Sequence, residues 1–334
     1  MKTQVTTVYL SDSERDAMGK ALGHFNFKEG AEYGPAIRQA RRALETSCEP
    51  LADLMAKVHN ASTPPGPVVI RNLPFDPSIQ RGLLDPEDAD SGKSSSISEG
   101  ILLGLAGQLG EPYGIVQEGQ GLVNNLSPSK ASVDNLTGLG SRRALGMHIE
   151  NAAARLLPGD RAPDGLILTG VSPEPGEGPA TFVADGRLAL NLVGPEVEAV
   201  LRDSQRFEVQ FPNRWGEGED VRQRSPIVTG PARAPSFVAA LYGDLTRALD
   251  DEAEQALKAF EEALQAVALD VVIEPGVCVV IDNHHVFHGR AGFKARFDEN
   301  GLPYRWLQRV FWTSSLRRFG DWQRVNERLM VPKR

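Results

Sequence analysis

The stretch IDNHHVFHGR, residues 281–290, holds three of the chain's six histidines. Its reading depends on a second short stretch, MHIEN, residues 147–151. In an extended strand, side chains alternate between faces, so His148 and Glu150 share one face and can offer an imidazole and a carboxylate to one metal ion. One more histidine from a distant strand would complete a facial triad of two histidines and one carboxylate. That set is associated with non-haem Fe(II) oxygenases because it leaves coordination positions open. Read as one strand, 277–287 and its continuation put His284 and His288 on the same face, about 13 Å apart at about 3.3 Å per residue, so only one of them can reach the ion. His285 points to the other face and reads as a surface or core-boundary histidine. Gly289 follows His288, where glycine lets neighbouring backbone come close. Taken alone, His-x-Glu is a weak signal, more often the pattern of an ordinary half-exposed strand than of a metal site.

The surrounding texture is that of a β protein. From about residue 113, short β-like runs at 121–126, 145–151, 165–171, 179–184, 206–211, 236–242, 269–274, 277–287 and 306–313 are separated by Gly, Pro, Asn and Asp. Such spacing points to an antiparallel sandwich or barrel, not to alternating βα units. Two helices interrupt it, a short one from Pro195 to Leu201 and a longer one capped by Asp250, with Ala253, Leu257, Phe260, Leu264 and Val267 on one face. Residues 1 to about 60 read as helical: Ser11 and Glu14 have capping-box spacing, and a second helical stretch over about 34–58 is broken at Pro50. Residues 67–70 read as a short buried strand, 76–97 as a mobile loop, and Ser98 as the cap of a helix from Ile101 to Leu109. No repeat or composition break separates independent units. We therefore expect one domain over 1–334: a mainly helical part with one strand (1–112), a β core with inserted helices (113–318) and a tail (319–334).

Composition removes several function classes. The chain has 334 residues, enough to bury a core without staples, and its 36 Lys and Arg against 44 Asp and Glu leave a formal net charge of −8. So acidic a chain has no global field for nucleic acid or an anionic membrane surface. Cys48 and Cys278 form neither a disulfide framework nor a thiolate cluster, and no apolar run reaches the length of a membrane span. The expectation is a soluble cytoplasmic enzyme. Phosphate-loop, dinucleotide-fold, nucleophile-elbow and zincin signatures are absent.

In combination, the motifs are more specific than any of them alone. IDNHHVFHGRAGF, then ARFD at 295–298, then RWLQR at 305–309, resemble the C-terminal signature of the clavaminate synthase-like branch of the Fe(II)/2-oxoglutarate-dependent oxygenases, which includes asparagine, arginine and lysine hydroxylases. MHIENA resembles its ligand strand, and VVIRNLP and the Leu-rich helix ending in GEP resemble its N-terminal elements, so the likeness spans roughly residues 65–318. The resemblance implies a double-stranded β-helix, or jelly roll, with Fe(II) held by His148, Glu150 and His288. It further implies 2-oxoglutarate as co-substrate, its distal carboxylate met by Arg305 and by Thr181 of GPATFVAD, and O₂ as oxidant. Arg309 matches an arginine that meets the substrate's α-carboxylate, and Glu118 of GIVQEGQG falls where these hydroxylases place a carboxylate near the α-amino group.

Two departures qualify the likeness. The segment ENGLPY before Arg305 is about three residues longer than the family's usual turn, which leaves the register of the arginine strand open. In PSFVAALYGD, 235–244, the positions that carry guanidinium-binding carboxylates in arginine hydroxylases are Ala240 and Tyr242, so no arginine-type clamp is expected. The implied activity is hydroxylation of an unactivated C–H of an L-amino acid or a derivative, with 2-oxoglutarate converted to succinate. Desaturation or cyclisation by the same cofactor chemistry is the alternative within enzymes, and a non-catalytic metal- or ligand-binding β-barrel sensor the alternative outside them. The partner expected is a small amino-acid-like substrate; a carrier protein stays open, and the loops 76–97 and 213–224 are expected to shape the side-chain pocket.

Overall fold

The computed structural model describes residues 2–30, 32–61, 66–86, 93–176, 178–215 and 220–333. In chain order the first elements are β1 (Thr6–Tyr9), α1 (Asp12–Leu22), α2 (Tyr33–Ser47), α3 (Glu49–Asn60), β2 (Val68–Arg71), α4 (Ile97–Leu109), β3 (Glu111–Ile115) and β4 (Asn124–Leu126). There follow β5 (Leu145–His148), β6 (Gly165–Ser172), β7 (Ala180–Asp185), α5 (Gly186–Leu201), β8 (Phe207–Gln210), β9 (Arg222–Arg224), β10 (Val228–Thr229), β11 (Ser236–Phe237) and β12 (Thr246–Ala248). The last are α6 (Asp251–Val267), β13 (Leu269–Val272), β14 (Cys278–Asp282), β15 (Val286–Arg290), β16 (Trp306–Thr313), β17 (Gln323–Arg324) and β18 (Leu329–Val331).

Two sheets dominate. The larger runs β1-β2-β14-β6-β16-β3-β18-β17, with β4 also paired to β16; the smaller runs β13-β7-β15-β5. Their inner faces meet in one apolar cluster that takes Leu166, Leu168, Val279, Ile281, Leu307 and Phe311 from the larger sheet and Val183, Val271 and Val286 from the smaller. Alternation sends the intervening residues outward. Ile167, Val280, Val310 and Trp312 pack under α1–α4, while Ala184 and Phe287 pack under α5 and α6. Both faces of each sheet are thus covered, and the strands that carry the site are anchored from behind as well as from within.

The local signals read from the sequence mostly hold. Ser11 and Glu14 form a complete capping box on α1, Pro50 sits in the first turn of α3, and the Asp250 side chain accepts from the Ala253 N–H to start α6. Several expectations need correction. The stretch 1–60 begins with a strand, β1, which pairs parallel to β2. Helix α4 starts at Ile97, with Ser96 at the N-cap position but no side-chain cap bond; Ser98 lies within the helix, and its hydroxyl donates to Gln308 Oε1 at 2.7 Å. The helix at Pro195 is the second half of a longer segment that kinks at Gly194, whose φ of 82° L side chains rarely adopt. Residues 323–331 are not a tail: β18 pairs parallel to β3 and β17 pairs with β18. Of the loop expected at 76–97, residues 87–92 lie outside the described residues, as do 216–219 of 213–224.

Candidate active site

The run 277–287 is not one strand. It turns at Asn283–His285 between β14 and β15, and the Asp282 carboxylate accepts from the His284 N–H at 2.8 Å, an Asx-type bond that closes the turn without glycine. This separates the three histidines. His284 sits in the turn, its Nε2 3.2 Å from Asp164. His285 is buried, not a surface residue, with Nδ1 3.2 Å from Asp282. His288 lies in β15 directly opposite His148 in β5.

The pairing of β15 with β5 brings His148, Glu150 and His288 together: a ligand atom of each lies within 4.8 Å of the others, and all three residues are buried. Strand β5 ends at His148, and Glu150 follows in a turn whose next residue, Asn151, has φ 51°. Glycine allows the close approach here. A Cβ on Gly146 would stand 2.4 Å from the Leu241 carbonyl, and one on Gly289 2.7 Å from the Leu145 carbonyl. The Asn283 side chain fastens the carboxylate ligand. Its Oδ1 accepts from the Glu150 N–H at 2.7 Å, and its Nδ2 donates to the carbonyls of Glu150 and Pro163, each at 3.0 Å.

His148 and Glu150 are in the state a divalent cation needs. Burial, and after it the neighbouring His288, push the His148 pKa down to about 3, so the imidazole is neutral. With Nδ1–H donated to the Gly146 carbonyl at 2.9 Å, Nε2 is left to ligate. Burial works to protonate Glu150, but the Arg309 charge beside it outweighs burial and holds the carboxyl well below its usual range. Two imidazoles and a carboxylate, facing a cavity, fit Fe(II).

That cavity has a volume of about 250 Å³ and is also lined by Thr181, Arg305, Arg309 and Glu118. It falls just below the roughly 300–1,000 Å³ of most ligand pockets, as suits small metabolites. Arg305 and Arg309 both face it. The register against β6 shifts between Trp306 and Leu307, but the extra residue is on β6, so 305, 307 and 309 keep one face. The longer turn before Arg305 therefore costs nothing in register. Arg305 is buried, and among the described residues no hydrogen bond engages its guanidinium; burial and the nearby Arg290 push its pKa down to about 9. A buried cation left this way is a socket for an anion. Thr181 lies beside it on β7, opposite Arg290.

Arg309 is already engaged. Its Nη1 donates to Glu150 Oε2 at 2.8 Å and its Nη2 to Asn124 Oδ1 at 3.2 Å, and Nη2 stands 3.6 Å from Glu118 Oε2. The Glu118 carboxylate also accepts from Arg214 and, at 2.9 Å, from Trp215 Nε1. The sequence reading missed Arg214, Trp215, Asn124 and the role of Asn283. Only Asn283 carried a local signal, the second residue of the polar Asp282-Asn283 pair that ends the apolar run of β14. Tyr242 lines the cavity, its ring edge-on to His148 with centroids 5.2 Å apart, and Ala240 bridges to His148 through its backbone. Neither brings a carboxylate.

Comparison with known proteins agrees with this geometry. An L-asparagine oxygenase from Streptomyces coelicolor is 26% identical over 294 residues, covering 87% of this chain and 83% of the relative. The crystal structure of an asparagine oxygenase in complex with Fe(II), 2S,3S-3-hydroxyasparagine and succinate superposes with a TM-score of 0.84 at 23% identity, over 97% of this chain and 98% of that one, which speaks to the fold. The non-heme iron oxygenase OrfP in complex with Fe and alpha-ketoglutaric acid superposes with a TM-score of 0.80 at 26% identity, over 97% and 99%. The family described as taurine catabolism dioxygenase TauD, TfdA matches residues 29–311, and the chain belongs to it.

Proposed function

We propose that this chain is an Fe(II)/2-oxoglutarate-dependent oxygenase that hydroxylates an unactivated C–H of an L-amino acid or amino-acid derivative. It does so as a single domain on a double-stranded β-helix. One observation carries the reading: a buried His-Glu-His triad and a buried, unpaired Arg305 open onto the same small cavity. A bare metal-binding barrel has no need of the second feature.

His148, Glu150 and His288 would hold the iron. Bound there, the metal supplies oxidative decarboxylation of 2-oxoglutarate to succinate and CO₂, one atom of O₂ entering succinate and the other the substrate C–H. Arg305 presents a planar fork to the distal carboxylate of 2-oxoglutarate, and the Thr181 hydroxyl, which no described residue engages, adds a donor. Arg309 holds the substrate's α-carboxylate, and Glu118 accepts from its α-ammonium. Leu136, Leu139, Leu145, Leu166, Leu168 and Leu307 complete the wall and exclude water. The relatives named above support a free amino acid as substrate. Among the described residues no helix is long and apolar enough to cross a membrane.

Purified protein supplied with Fe(II), ascorbate and 2-oxoglutarate should release succinate in step with a gain of one oxygen by one amino acid. His148→Ala and His288→Ala should each abolish both signals. Full turnover by either variant, or failure of 2-oxoglutarate to bind the wild-type protein, overturns the reading.

A further inference from the structure

The charge on the cavity wall is unbalanced. Among the described residues, four arginines, Arg214, Arg290, Arg305 and Arg309, line it against two carboxylates, Glu118 and Glu150. The proposed oxygenase reaction uses most of these groups. Two positive charges from the metal and two negative ones from 2-oxoglutarate cancel. The substrate's α-carboxylate and α-ammonium, met by Arg309 and Glu118, cancel as well. The excess of cations on the wall survives the loading of metal, co-substrate and zwitterion.

Part of that excess lies where the substrate's side chain must go. Arg290 is spent on backbone, donating to the carbonyls of Ser141, Arg143 and Ala291, and it stands beside Arg305. Arg214, by contrast, reaches the cavity from the segment Asn213–Trp215 on the other side of the triad. It is within electrostatic reach of Glu150 and Tyr242 as well as of its partner Glu118. Its side chain is 44% exposed, so it can turn without leaving a buried hole. Nearby, the Tyr242 phenol faces the cavity, and no described residue hydrogen-bonds it, which leaves its O–H to donate. Once the α-ammonium takes its place on Glu118, the carboxylate that held Arg214 is shared. The guanidinium then has a hydrogen-bonding edge to offer. Among the described residues, the only carboxylates that line this cavity are Glu118 and Glu150, both already committed.

Given the oxygenase reading, on which this assignment of substrate class rests, we propose that the side-chain subsite, formed by Arg214 and Tyr242, is built for a carboxylate, and that the substrate is an α-amino acid with an acidic side chain. An amide isostere keeps the shape but forfeits the charge-assisted bonds, and a lysine or arginine side chain meets like charge.

The test pairs activity with binding. Wild-type protein with Fe(II), ascorbate and 2-oxoglutarate is given L-aspartate, L-glutamate, L-asparagine, L-glutamine, L-lysine and L-arginine, and kcat/KM is read from succinate and product mass. In parallel, the thermal midpoint is followed with Mn(II), 2-oxoglutarate and each amino acid. One of the two acids should exceed its own amide by roughly tenfold or more in kcat/KM, as expected when a site built for a polar group meets an analogue that cannot satisfy it, and should give the larger thermal shift. Arg214→Gln should collapse the acid-to-amide ratio toward one. A purely structural role for Arg214 would lower both substrates alike and leave the ratio standing, which overturns the proposal. Preference for an amide or a basic amino acid, or turnover of none of the six while 2-oxoglutarate still binds, also overturns it and leaves the oxygenase reading intact. If 2-oxoglutarate itself does not bind, both fall together.

Discussion

Arg305 shows how much a single side chain can say. A guanidinium held in a buried site costs stability, because burial removes hydration that no hydrogen bond from a described residue replaces. The cost is recovered only when a carboxylate arrives. Arg305→Met should therefore leave the melting temperature of the ligand-free protein unchanged or raised, while removing the thermal shift that 2-oxoglutarate produces in the wild type. A variant that still responds to 2-oxoglutarate would show that another cation receives the distal carboxylate. The period of two made His148 and Glu150 legible as a pair and put Arg305 and Arg309 on one strand face, while the choice of His288 over His284 and the singling out of the two arginines came from the family resemblance. What was not legible depends on groups that meet only in three dimensions. Arg214 comes from a loop with no periodicity, and nothing adjacent to it in sequence announces Glu118.

Strand β16 carries two chemistries on its two faces. Its odd positions look into the cavity, while Gln308 looks the other way, donating to Glu99 Oε1 at 2.8 Å and to Asn125 Oδ1 at 3.0 Å. On that side Lys93 Nζ is 2.6 Å from Glu99 Oε2 and 3.3 Å from Gln308 Oε1, with both charged side chains buried. Lys93→Met alone leaves the Glu99 charge without its partner and should destabilise the protein by about 3–5 kcal/mol. Adding Glu99→Gln should restore most of that. Urea melts of the two variants would check this; equal destabilisation would mean that the packing of Lys93, not its charge, matters. None of this network could be read from the sequence, since Lys93 stands in a segment that looked like an unanchored loop. The turn that carries the chain from β14 in the larger sheet to β15 in the smaller was missed for a related reason: the Asp282 side chain closes it, so the run lacks the Gly or Pro that marks most turns.

At the scale of the molecule, ion pairs at one end bind the layers together. Asp164, at the start of β6, takes hydrogen bonds from Arg318 at 2.5 Å and from the Ser314 N–H at 2.6 Å, and lies 3.2 Å from His284. Burial alone would raise its pKa; the His284 hydrogen bond, the Arg318 charge and the Ser314 N–H outweigh burial and hold it well below the usual carboxylate range. A carboxyl depressed in the folded state adds stability at pH values above its unfolded pKa, and that stability is lost as pH falls through the folded value. The melting temperature should therefore drop once pH falls below about 4, the unfolded pKa of aspartate. Asp164→Asn should melt lower near neutrality and show a shallower acid limb; an unchanged acid limb would place the pH sensitivity elsewhere. The layered plan, helices before a β core, was visible in composition and periodicity. Strand order was not, because β2-β14-β6-β16 joins segments from opposite ends of the chain.

The direct pairing of His148 with His288 also bears on the order in which the protein comes into being. On the ribosome, His148 and Glu150 emerge long before β15 and β16, so for much of synthesis the first two ligands have neither their third partner nor Arg309 beside them. Contacts so distant in sequence form late and slowly. The nascent chain thus has no complete seat for a redox-active ion, and it acquires one only when the strands that also carry Arg305 and Arg309 have been made. Iron capture and the means to restrain its reactivity are completed together.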